Sequence, residues 1–219
     1  MIQENLSAVR ANVPENVTLV AVSKTKPVDM VKEAYEAGQR IFGENRVQEL
    51  VEKSTILPKD IEWHMIGHLQ SKKVKSIAPF ISMIHSVDSF KLLAEINKEA
   101  KKNDRTIECL IQFHIAQEES KYGFNLEDVR EILESQEFFE MHNICIVGIM
   151  GMATFTDNKK QIREEFRTLE NIFHMLKSHH FKYNGDFKHI SMGMSGDYQI
   201  AIEEGSTMVR VGSSIFGAR

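Results

Sequence analysis

Eight times along this chain a short apolar, β-branched run gives way to a helical pattern, and that alternation limits what the chain can fold into. The runs fall at 17–23, 40–43, 62–66, 81–85, 106–113, 144–150, 187–190 and 207–211. After them come segments with apolar residues three and four apart, at 28–38, 45–53, 70–78, 88–102, 125–136, 158–178 and 195–204, with a last turn at 213–216. A further short helix is expected at 2–12, striped by Leu6 and Val9. The first run, Val17-Thr-Leu-Val-Ala-Val22, is apolar without polar alternation, as in a strand buried on both faces of a parallel sheet. Strict βα alternation requires parallel strands and right-handed crossovers. Eight such units in 219 residues match the small end of the closed (β/α)8 range. No GxGxxG follows the first strand, which disfavours an open dinucleotide-binding sheet. The expected architecture is α/β, a single (β/α)8 TIM barrel over residues 1–219 with an added N-terminal helix.

Charge and cysteine usage narrow the function classes. A net charge of −4 gives no basic surface for nucleic acid or an acidic membrane. No apolar stretch approaches the length of a membrane span, and the N-terminus lacks a secretion signal. Cys109 and Cys145 lie in apolar runs without CxxC spacing and read as core thiols of a reducing compartment. The expected location is the cytoplasm.

A barrel of this kind places chemistry at the carboxyl ends of its strands. Filtered that way, the chain offers Ser23 and Lys24; Glu44 and Asn45; His64; His85 and Ser86; Gln112 and His114; Thr154; Ser191 and Ser195; and Arg210, Gly212, Ser213 and Ser214. Lys24 ends the first buried strand. It reads either as a solvated strand-end lysine or as an amine short of water, whose lowered pKa suits condensation with an aldehyde. Lys26 is its rival but lies beyond the strand beside Pro27. Ser191-Met-Gly-Met-Ser195-Gly-Asp197 and Arg210-Val-Gly-Ser-Ser214 each lead into a helical pattern. Two helix starts after strands seven and eight form a phosphate site in many barrels; the same glycines and serines also serve as plain turn and cap residues. Arg210 either pairs with a carboxylate in the barrel wall or points at the ring nitrogen of a heteroaromatic, which it would keep unprotonated, since a guanidinium only donates. His64, His85 and His114 lack ligand spacing with carboxylates, so metal is disfavoured. Met150, Met152, Met192 and Met194 read as core or pocket wall.

The motifs VAVSKTKP at 20–27, FGENRVQE at 42–49, WHMIGHLQSKK at 63–73, SMGMSGD at 191–197 and GSTMVRVGSSIFG at 205–217 cover nearly the whole chain. In them the sequence resembles the pyridoxal phosphate homeostasis protein family, itself similar to the N-terminal barrel of fold-type III enzymes such as alanine racemase. The resemblance implies pyridoxal 5′-phosphate (PLP) held as a Schiff base on Lys24. It also implies phosphate contacts from Ser195, Gly212 and Ser213, and Arg210 toward the pyridine nitrogen. Asn45, His64 and Met152 would line the ring by position.

Racemases of this fold carry a second, β-rich domain supplying a tyrosine acid/base opposite the lysine. Here the sequence stops at Arg219, and nothing in it obviously serves the second face of a Cα carbanion. The expected role is a non-catalytic, monomeric PLP carrier in vitamin B6 homeostasis, with apo-PLP enzymes as its partners. The alternatives are a weak PLP-dependent amino-acid racemase and a phosphate-sugar barrel enzyme without PLP. Whether Lys26 or Lys121 takes a second, transient PLP is left open by the sequence.

Overall fold

A computed structural model describes residues 1–117 and 122–218. Eight strands are formed: β1 Thr18–Val22, β2 Ile41–Glu44, β3 Glu62–Met65, β4 Met83–Val87, β5 Ile107–Gln112, β6 Ile144–Met150, β7 His189–Met194 and β8 Met208–Val211. Each pairs in parallel with the next, and β8 pairs with β1, so the sheet closes into a barrel. The helices are α1 Ile2–Ala11, α2 Val28–Glu36, α3 Val47–Ile56, α4 Val74–Ile77, α5 Phe90–Lys102, α6 Leu126–Leu133, α7 Gln136–Phe139, α8 Lys159–His179, α9 Tyr198–Glu203 and α10 Ser213–Phe216. A 3₁₀ turn, Ser71–Lys73, precedes α4. None of the described helices is long and apolar enough to cross a membrane.

Period-two strand geometry divides the core into two layers. One set of side chains, including Ala21, Phe42, Trp63, Met65, Ile84, Val209 and Val211, joins the large apolar cluster shared with the helices. The other set, including Val20, Met83, Leu110, Val147, Met150 and Met208, forms a smaller cluster filling the lumen. Burying one such side chain contributes about 1.5–3 kcal/mol. The added helix α1 buries Ile2, Leu6 and Val9, and Asn5 Nδ2 donates to the Ile215 carbonyl at 3.0 Å, so the first helix is fastened to the last.

Four expectations need correction. Strand seven is not 187–190 but His189–Met194, which puts Ser191 inside the barrel rather than in a loop. Its sequence, Ser-Met-Gly-Met, reads as a turn, yet Gly193 at φ 97° carries the strand's end past Ala201, where a Cβ would approach to 2.6 Å. Strand four continues to Val87, so Ser86 and Val87 are strand residues rather than the start of a helix, and α5 starts only after Ser89, whose Oγ caps it by accepting from the Leu92 N–H. The expected helix 125–136 is two helices, because Ser135 leaves the first and caps the second. The helix expected at 195–204 begins at Tyr198, leaving Ser195 in a turn.

Candidate functional site

Beyond β1 the chain turns sharply. The Lys26 N–H donates to the Ser23 carbonyl at 3.1 Å, enclosing Lys24 and Thr25 in a four-residue turn. Thr25 adopts φ 64°, in the left-handed region, where a β-branched residue is strained by about 1–3 kcal/mol. Such strain persists only where neighbours over-determine the backbone, and they do so here. The Thr25 N–H donates to Glu49 Oε2 at 2.6 Å. Lys53 Nζ donates to the Ser23 carbonyl at 2.7 Å and to Glu44 Oε1 at 2.6 Å. Ser23 Oγ donates to the same Glu44 oxygen at 2.6 Å. Glu44 is fully buried, and burial raises its pKa against the opposing pull of Lys53 and Ser23. So the backbone that presents half-buried Lys24 is clamped from beneath by an ion pair.

A second polar chain crosses the lumen. Arg210 Nη1 donates to Ser191 Oγ at 2.6 Å, and Nη2 donates to the Gly151 carbonyl at 3.2 Å. Ser191 Oγ lies 2.9 Å from His85 Nδ1, and His85 Nε2 lies 2.9 Å from His64 Nδ1. All four side chains are buried. Burial lowers the Arg210 pKa to about 10 and the His64 pKa to about 3, and depresses His85 as well. Both imidazoles are therefore neutral at pH 7. The alternative of an Arg210–carboxylate pair in the wall is replaced by these two oxygen acceptors.

The two last loops meet. The Gly212 N–H donates to Ser195 Oγ at 3.1 Å. A Cβ on Gly212 would stand 3.1 Å from the Val22 carbonyl oxygen, so its bare Cα lies against the end of β1, two residues before Lys24. The first donor within α10 is Ile215, to the Gly212 carbonyl, so the Ser213 and Ser214 N–H groups precede the helix's own bonds. On the opposite side Val22 is level with Gly43, and Gly43 with His64. Asn45 thus leaves β2 beside the Lys24 turn, and its Oδ1 is buried with no partner among the described residues. Met152 packs on the lumen cluster.

Other expected residues stand elsewhere. Thr154 Oγ1 donates to Glu165 Oε1 at 2.7 Å and serves α8. Lys26 Nζ donates to the Gly217 and Ala218 carbonyls, each at 2.9 Å, fastening the C-terminal turn to the same loop. Lys121 lies outside the described residues. Among the described residues no cluster of His, Cys, Asp or Glu is placed to hold a metal ion. Cys109 is a buried free thiol raised in pKa by burial. A cleft of about 360 Å³ lined by Thr25, Lys26, Glu49 and Lys53 lies behind the turn, and a hollow of about 580 Å³ by His179 and Asp186 lies apart from the site residues. The sequence reading missed Lys53 and the lumen role of Ser191. Lys53 lies nine residues after Glu44, in another element, and no local spacing ties the two.

The family model of the alanine racemase N-terminal domain matches residues 1–219. The pyridoxal phosphate homeostasis protein of Aquifex aeolicus is 39% identical over 202 residues, covering 92% of this chain and 86% of its own length. The Homo sapiens protein of that name is 41% identical over 213 residues, covering 92% and 76%. Among solved structures, PipY of Synechococcus elongatus superposes with a TM-score of 0.91 without PLP and 0.89 with PLP bound, at 34% identity, over 99% of this chain and 100% of that one. An alanine racemase of Clostridium difficile gives a TM-score of 0.77 at 15% identity, over 100% of this chain and 56% of that one, a likeness of fold.

Proposed function

Because this chain belongs to the alanine racemase N-terminal domain family, among the pyridoxal phosphate homeostasis proteins, we propose that it binds PLP at its barrel mouth and holds it for supply to other proteins rather than for turnover. The observation that carries this reading is the meeting of three strand ends: the Lys24 turn, the bare Gly212 backbone against Val22, and the Ser195–Gly212 hydrogen bond.

PLP, when bound, supplies an aldehyde that condenses with an amine and an anionic phosphate that takes hydrogen bonds. The residues present fit those two needs. Lys24 would carry the covalent bond, its backbone held by the clamp of Glu44, Lys53 and Glu49. The N–H groups of Ser213 and Ser214, with the Ser195 and Ser213 hydroxyls, would receive the phosphate. Gly212 would act through its small backbone, since its own N–H is already given to Ser195. Asn45 Oδ1, a buried acceptor without a donor among the described residues, and Met152 would line the ring. Arg210 only donates, so beside a pyridine nitrogen it would leave that atom unprotonated and blunt the ring as an electron sink. That supports holding over catalysis.

Titration with PLP tests the binding. A visible absorbance band that is lost in Lys24→Ala supports it, and a colourless protein overturns it. Transfer to an apo-PLP enzyme faster than from free PLP supports supply. Incorporation of solvent deuterium at the Cα of an amino acid would replace supply by the racemase reading.

A further inference from the structure

We propose that Arg210, Ser191 and His85 form a one-way hydrogen-bond relay that locks His64 as a neutral Nε2–H donor, with Ser191 and His85 acting as positioning residues. The direction follows from counting donors. The guanidinium has no acceptor, so its 2.6 Å contact must donate to Ser191 Oγ. Ser191 is fully buried, and its hydroxyl hydrogen needs an acceptor. Among the described residues, the only other partner of that oxygen is His85 Nδ1 at 2.9 Å. Were Nδ1 protonated instead, the hydroxyl hydrogen would be buried without an acceptor, at a cost of about 1–3 kcal/mol. The hydroxyl therefore donates to Nδ1.

The rest is forced. A neutral imidazole carries one hydrogen, so His85 bears it on Nε2 and donates across 2.9 Å to His64 Nδ1. His64 then bears its hydrogen on Nε2. The hydrogen bond that His64 makes among the described residues is at Nδ1, which leaves the Nε2–H as the donor at the end of the relay. Burial keeps both rings neutral, with His64 titrating only at about 3 and His85 also well depressed. The relay thus converts a fixed cation on β8 into a fixed donor on β3. His64 is level with Gly43 and Val22, one layer below Lys24. A ligand there meets a hydrogen-bond donor suited to a phenolate or carboxylate oxygen. It does not meet a base able to take a proton from carbon. The assignment of that donor to the surroundings of PLP rests on the function proposed above; the tautomers do not.

The experiment is a long-range ¹H–¹⁵N correlation spectrum of the full chain, labelled in histidine, recorded at neutral pH without and with PLP. Both His64 and His85 are expected as Nε2–H tautomers in the wild-type protein before any cofactor is added. A protonated His64 Nδ1 in that spectrum overturns the relay by itself. In Ser191→Ala the lock is removed, and the His64 Nδ1 signal is expected to shift toward its protonated position. Ser191→Thr, which keeps the hydroxyl, is expected to restore the wild-type pattern. Unchanged tautomers in a folded Ser191→Ala overturn the role of Ser191. If the wild-type tautomers are as stated and PLP is not taken up, the relay stands and the PLP reading falls.

Discussion

Ser195 Oγ accepts the Gly212 N–H at 3.1 Å, and this single contact joins the turn after β7 to the turn after β8. It fixes the spacing of the backbone N–H groups that follow Gly212. Ser195→Ala is expected to weaken PLP binding roughly tenfold, about 1.4 kcal/mol. Gly212→Ala is expected to do at least as much, because its Cβ would press on the Val22 carbonyl and push the loop outward. Equilibrium titration of both variants checks this; wild-type affinity in both would remove the phosphate role of these loops.

Glu44 and Lys53 form a buried pair with side-chain exposures of 0% and 6%. Breaking such a pair from one side leaves an uncompensated group and costs about 3–5 kcal/mol. Lys53→Met is expected to destabilise by that much in chemical denaturation. It is also expected to loosen the Lys24 turn, because the Ser23 carbonyl loses its 2.7 Å donor. The double variant Glu44→Gln with Lys53→Met should recover part of the loss. A Lys53→Met protein of wild-type stability would contradict the clamp.

Thr25 holds φ 64° without glycine's freedom. Thr25→Gly removes side-chain strain of about 1–3 kcal/mol and adds glycine's entropic cost of about 0.5–1 kcal/mol. A net stabilisation of about 1 kcal/mol is expected in urea unfolding. If the variant is less stable than the wild type, the turn is not strained at this position.

The lumen histidines give the fold a pH dependence. The His64 pKa is lowered to about 3 in the native protein, against about 6.5 when unfolded. Below pH 6.5 the unfolded chain binds the proton and the native one does not, so stability falls as pH falls through that window. Between pH 7 and pH 5 the loss from His64 alone is about 2 kcal/mol, and His85 adds in the same direction. Glu44, raised by burial, works the opposite way as it takes up its proton. Denaturation midpoints at the two pH values check the sign, and His64→Gln should show a shallower dependence. Equal midpoints for the wild type would mean that the imidazoles are not held neutral.

Much of this was legible in the sequence. The barrel followed from apolar runs alternating with helical patterns, because each βα unit carries its own periodicity. Lys24, Asn45, Ser195 and Gly212 were legible because strand ends can be read locally, and the barrel rule says that they face one mouth. Ser191 was misplaced by one short step: it looks like a residue leaving a strand, and only closure of the sheet reveals that it meets Arg210. His85 was read at its strand's end, but its contacts with Ser191 and His64 form only once the barrel closes. The clamp under Lys24 was hidden for a similar reason. Glu44 and Lys53 belong to different elements and meet only when α3 folds back on β1 and β2.

The most direct measurement is to load the purified chain with PLP, reduce it with borohydride and map the fixed adduct by mass spectrometry, in wild type and in Lys24→Ala. The expected result is one adduct, on Lys24, absent from the variant. An adduct on Lys26 or Lys121 that is as abundant in Lys24→Ala as in the wild type, with Lys24 unmodified, would contradict the assignment of Lys24 as the residue that carries PLP.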